Sequence, residues 1–68
     1  MPTVDARGLS CPEPVLRTRR ALDAGVFPIE VLLDSATQRE NVRRTAEQVG
    51  CRVEVVEVGD EYRLTLHR

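Results

Sequence analysis

Apolar residues along the chain fall into two alternating rhythms, one of period two and one of period near 3.6, and the order of those rhythms predicts the fold. Residues 3–6, Thr-Val-Asp-Ala, make a short strand, and Arg7, Gly8, Leu9 and Ser10 make a loop. Val15, Thr18, Ala21 and Leu22, with Leu16 at the margin, then recur at helical spacing, so a helix runs from Pro12 to about Asp23. Gly25 suits its C-terminal cap, and Pro28 lies shortly beyond. Ile29, Val31 and Leu33 alternate with Glu30, Leu32 and Asp34 as a half-buried strand.

A second helix follows, because Ser35 with Gln38 and Thr37 with Glu40 both have capping-box spacing. Its buried stripe reads Val42, Thr45, Ala46 and Val49, and Gly50 ends it. Strands over Arg52–Val58 and Glu61–His67 flank a Gly59-Asp60 turn. Val53 and Val55 share one phase while Val56 and Val58 take the other, which predicts either a bulge or an apolar patch on the open sheet face. The order βαβαββ predicts an α/β two-layer sandwich: a four-stranded mixed sheet with two helices on one face. The first two strands are parallel through a right-handed crossover, and the final hairpin is antiparallel. The other sheet face is solvated or meets a partner, with Leu32 and Val56 as candidates for a weak apolar patch there.

Sixty-eight residues fit one domain, residues 1–68, and 41% hydrophobic content argues against disorder. No apolar run is long enough to span a bilayer, and no signal-peptide pattern opens the chain, so a cytoplasmic location is expected. Cys11 and Cys51 form no C-x-x-C pair, and the only histidine is His67, so no metal and no cofactor is expected.

The net charge of −1 gives no global pull toward nucleic acid, and Phe27 and Tyr62 are the only aromatics available for base stacking. Direct nucleic-acid binding is accordingly not expected. All ten basic residues are arginine, and Arg17, Arg19, Arg20, Arg39, Arg43 and Arg44 fall in the two predicted helices. That side of the molecule is basic, either as a solvated face or as a docking surface for an acidic protein partner, with Arg17, Arg20 and Arg43 as its candidate contacts.

The candidate chemistry lies in Cys11-Pro12-Glu13-Pro14. Proline is at home in the first helical turn, so Cys11 reads as the N-cap of a helix beginning at Pro12. The unpaired amides and positive dipole end of that turn favour an anion, and the thiolate is the reactive form of cysteine. Pro12 and Pro14 carry no N–H, which leaves the amides of Glu13 and Val15 to face the sulfur. Glu13 opposes a thiolate by its charge, whereas Arg7 supports one if the loop folds back.

Asp5-Ala6-Arg7-Gly8-Leu9-Ser10-Cys11-Pro12-Glu13-Pro14-Val15-Leu16, continuing to Arg19-Arg20-Ala21-Leu22, resembles the signature of the TusA/SirA/YedF family of small Cys-Pro-x-Pro proteins. The second half, with Asp34-Ser35 through Glu40-Asn41-Val42, Gly50 and Gly59-Asp60-Glu61-Tyr62, is more similar to the YedF branch, whose members have been associated with selenium metabolism. The resemblance covers essentially the whole chain and implies the same βαβαββ sandwich. It also implies a sulfur carrier of the sulfurtransferase type. Cys11 would receive sulfane sulfur as a persulfide from a cysteine desulfurase or rhodanese-type donor protein. It would pass the sulfur to an acceptor protein, toward tRNA thiolation or other sulfur metabolism. Asp5, Arg7, Gly8, Pro12, Glu13 and Pro14 are the supporting motif positions. The competing reading is a non-catalytic regulatory or adaptor module that binds a protein through its basic helical face or open sheet face. Cys51 reads as a small buried residue at a helix-to-strand junction rather than as a partner for Cys11.

Overall fold

The computed structural model describes residues 2–68. The elements run β1 (Thr3–Asp5), α1 (Glu13–Ala24), β2 (Ile29–Leu33), α2 (Ala36–Gln48), β3 (Arg52–Val58) and β4 (Glu61–His67), in the predicted βαβαββ order. In the sheet the strands stand β1-β2-β4-β3, so the hairpin strand β4 inserts between β2 and β3. β1 pairs parallel with β2, while β4 pairs antiparallel with both of its neighbours. The sheet is mixed, as the element pattern requires.

Alternation along each strand then assigns the two faces. Ile29, Val31 and Leu33 of β2 stand in register with Leu66, Leu64 and Tyr62 of β4. These five aliphatic side chains are fully buried and, with Val42 and Ala46 of α2, Ala6 and Cys51, form the core between sheet and helices. Both central strands are thus those with the cleanest apolar alternation. From α1 the buried residues are Pro14 and Thr18, with Val15, Ala21 and Leu22 packed partly against the core. Thr18 reaches full burial because its hydroxyl donates to the Pro14 carbonyl at 2.8 Å, a bond to i−4 that leaves no unpaired donor.

The phase change in β3 is not a bulge. Pairing with β4 runs unbroken from Arg52 opposite His67 to Val58 opposite Glu61. Val53 and Val55 therefore share the helix-covered face with Glu57, while Val56 and Val58 lie on the open face, about half exposed. Glu57 is tolerated on the covered side because β3 is an edge strand. There the Arg39 guanidinium of α2 comes within 3.8 Å of it while lying 4.8 Å from the Tyr62 ring centroid. On the open face Arg63 stands between Leu32 and Val56, so the expected apolar patch is divided by a charge.

Helix ends follow their local signals with small displacements. Ser35 caps α2 by accepting from the Gln38 N–H, and Gly25 takes the left-handed conformation (φ 75°) that closes α1. Val49, expected in the buried stripe, is 55% exposed because α2 ends at Gln48 and Val49 is itself the C-terminal cap.

Candidate functional site

Because β1 and β2 are parallel neighbours, the helices that follow them begin at the same end of the sandwich. Cys11 lies at that end, exposed, and not as the N-cap of a helix starting at Pro12. The helix starts at Glu13, Pro12 is the N-cap, and Cys11 stands one residue earlier in a turn. The displacement has a local cause. The Glu13 N–H donates to the Ser10 carbonyl at 2.9 Å and closes a turn over residues 10–13 before the first helical bond, Leu16 N–H to the Pro12 carbonyl at 3.1 Å. One of the two amides expected to face the sulfur is therefore already engaged. Pro14 occupies the second helical position, where a proline loses no bond, and anchors this turn to the core.

Arg7 does not support the sulfur directly. Its Nε and Nη2 donate to the two carboxylate oxygens of Asp5 at 2.9 and 2.8 Å, and its Nη1 reaches Glu61 Oε1 at 3.2 Å. The Arg7 guanidinium, and after it the Arg7 backbone N–H, hold the Asp5 carboxyl down at about 2 from an ordinary 3.8. Asp5 first, then Glu61, raise Arg7 above its already high value, so it is a fixed cation at every working pH. Gly8, at φ 75°, donates its N–H to the Asp34 carboxylate at 2.8 Å. The loop before Cys11 is thus pinned at three places: to β1 through Asp5, to the end of β2 through Asp34, and to the start of β4 through Glu61. Asp34 and Glu61 had no site role in the sequence, since nothing local marks a bond to a loop 26 or 54 positions away.

A pH dependence follows. A carboxyl whose folded value lies below its ordinary one stabilises the fold fully above about pH 4 and loses that contribution as pH falls through about 2. The Asp5 carboxyl carbon, followed by NMR, is expected to titrate with a midpoint near 2. In Arg7→Gln it should return to the ordinary range. A wild-type midpoint at 3.8 would mean that the pair does not form in solution.

The remaining candidates divide. Glu13 turns toward Arg17 of the next helical turn at 3.7 Å. Arg43 is held between Glu40 at 2.6 Å and Glu47 at 2.8 Å, and the Arg43 guanidinium lowers the Glu40 carboxyl, so this arginine is committed within its own helix. Among the described residues Arg19, Arg20 and Arg44 form no ion pair, and all three are exposed. Leu16, 42% exposed, adds an apolar position in the turn that follows Cys11.

The second thiol is elsewhere. Cys51 is buried, lining a cavity of about 120 Å³ with Leu22, Asp23, Phe27, Val49 and Arg68. That cavity adjoins the C-terminal end of α1, whereas Cys11 precedes its N-terminus. The helix between them has 12 residues, or roughly 18 Å of rise, well beyond the ~7 Å limit for two Cα atoms joined by a disulfide. Among the described residues no helix is long and apolar enough to cross a membrane.

The family model described as Sulfurtransferase TusA matches residues 2–68. The fold is similar to the crystal structure of a SirA-like protein from Desulfitobacterium hafniense. The two share 31% sequence identity at a TM-score of 0.89, over 97% of this chain and 95% of that one. No curated protein sequence matches the chain.

Proposed function

The chain belongs to the TusA sulfurtransferase family, and from that premise we propose that it carries sulfane sulfur as a persulfide on Cys11, between a donor protein and an acceptor protein. The observation that carries this reading is the contrast between the two thiols: Cys11 is free and exposed beside the start of α1, and Cys51 is buried at the far end of the molecule.

The transfer balances without an outside oxidant. The Cys11 thiolate attacks the outer sulfur of a donor persulfide, forming a new S–S bond as the donor's S–S bond breaks and its cysteine leaves as thiolate. An acceptor thiolate then attacks the outer sulfur now on Cys11 and regenerates the Cys11 thiolate. An exposed position is required at both steps, because each attack passes through two protein surfaces in contact. Leu16 supplies apolar contact at that surface, and Arg17 and Arg20 supply charge for an acidic partner. A cysteine desulfurase or a rhodanese-type protein is the fitting donor class. The YedF-like features of the second half make selenium the alternative cargo.

Intact mass after incubation with a cysteine desulfurase and free cysteine tests the proposal. The expected product carries one additional sulfur atom, removable by a reducing agent and mapped by peptide digestion to Cys11. With selenocysteine as substrate, selenium loading would give a correspondingly heavier adduct. Failure to load from desulfurase and rhodanese-type donors alike would sink the carrier reading and leave an adaptor that binds its partner without sulfur chemistry.

A further inference from the structure

Only Leu9 and Ser10 separate Gly8 from Cys11, so whatever fixes the Gly8 amide fixes the approach of the chain to the thiol. The Asp34 carboxylate does so, accepting the Gly8 N–H at 2.8 Å. Asp34 itself is held by the end of β2 on one side and by the capped start of α2 on the other, since Ser35 is the N-cap. The positive end of α2 favours a carboxylate at that place. Of the other anchors, Glu61 grips the Arg7 side chain, and Asp5 grips both that side chain and the Arg7 N–H, the latter at 3.2 Å. Among the described residues Asp34 is the side chain that grips loop backbone beyond Arg7, where the Leu9 N–H also donates to the Ala6 carbonyl at 3.4 Å, and it does so at the left-handed glycine where the chain turns toward Cys11.

The geometry points to Asp34 as a positioning residue for Cys11. It fixes the loop so that the thiol is presented in one orientation to a protein partner, and this assignment rests on the carrier reading above. Asp34 touches neither the sulfur nor its cargo. Its effect falls on protein-to-protein transfer, which needs the attacking thiolate aligned with a sulfur held in another protein. Reaction with a small diffusing reagent has no such requirement, and Cys11 is exposed to one. Misplacement of a reacting group by about 1 Å costs up to about a hundredfold when alignment is demanded.

The test compares wild type, Asp34→Ala, Asp34→Asn and Cys11→Ser in two reactions: loading from a desulfurase with cysteine, and alkylation by iodoacetamide. Asp34→Ala is expected to lower the loading rate at saturating donor by about ten- to a hundredfold, with KM for the donor within about threefold and the alkylation rate of Cys11 within about twofold. Asp34→Asn keeps an acceptor oxygen at the same reach and should recover most of the loading rate. Amide exchange at Gly8 should accelerate in Asp34→Ala and not in Asp34→Asn. Loading by Asp34→Ala at the wild-type rate overturns the assignment while the carrier reading stands. Equal loss in Asp34→Asn and Asp34→Ala overturns it as well, because the hydrogen bond would then not be what matters. A wild-type protein that fails to load, or a Cys11→Ser variant that loads, overturns the carrier reading and the assignment together.

Discussion

Cys11→Ser is expected to abolish the reducible gain of one sulfur atom, and Cys51→Ala to retain it in full. The first substitution replaces sulfur by an oxygen of nearly the same shape at an exposed position, so the fold survives while the nucleophile is lost. The second removes a buried side chain that lines a small cavity with Leu22, Phe27 and Val49. Its cost is therefore in packing and is paid at the opposite end of the molecule from the chemistry. The thiols should also separate in rate. Native-state alkylation ought to reach Cys11 about two orders of magnitude faster than Cys51, since a buried thiol reacts only through an opening that costs on the order of 3 kcal/mol. Loading that persists in Cys11→Ser and disappears in Cys51→Ala would show the site to be built around the wrong thiol.

Much of the fold could be read from local pattern because the pattern is strong where the core is. Ile29, Val31 and Leu33 alternate cleanly and become a fully buried central strand, and Ser35 accepts from the Gln38 N–H as one half of the capping box that the spacing predicts, while the Gln38 Oε1 is buried without a partner. At β3 legibility fails. An edge strand exposes both faces, so Val55, Val56 and Val58 are all at least 40% exposed and their phase no longer reports which face is covered. Only the unbroken register with β4 decides between a bulge and an open-face patch. Helix ends were legible to within a residue, and that residue mattered at Cys11, where the turn closed by Ser10 and Glu13 displaced the cap.

The candidate site divides along the same line. Cys11, its prolines and the glycine turn at Gly8 were visible as a motif. Their restraints were not, because Asp34 and Glu61 reach the loop across long stretches of sequence, and a salt bridge or hydrogen bond of that kind leaves no periodic signal. Arg43 shows the reverse case. Its spacing to Glu40 and Glu47 is the i,i+3 and i,i+4 pattern of intrahelical pairs, so its commitment to its own helix could have been read directly. Arg20, by contrast, stays an open candidate for a partner's acidic surface.

Truncating Leu64 should have the largest effect on stability of any single change considered. Leu64 is fully buried in β4, with Val31 opposite it on one side and Val55 on the other. A buried leucine cut to alanine costs about 2–5 kcal/mol. The total stability of a domain of this size, at roughly 0.05–0.15 kcal/mol per residue, is only about 3–10 kcal/mol. With a urea slope near the low end for small proteins, about 1 kcal/mol per molar, the midpoint should fall by about 2 M or more. Val56→Ala, on the open face and half exposed, should move it by less than about 1 M. The reverse ranking would mean that the helices cover the other face of the sheet. Leu64→Ala carries a functional consequence too. β4 begins at Glu61, the residue that holds Arg7, so loosening the strand loosens one anchor of the Cys11 loop. Loading should therefore decline in urea before the global midpoint, and earlier in Leu64→Ala than in wild type. Loss of loading coincident with global unfolding in both proteins would show instead that the loop keeps its position as long as the core does.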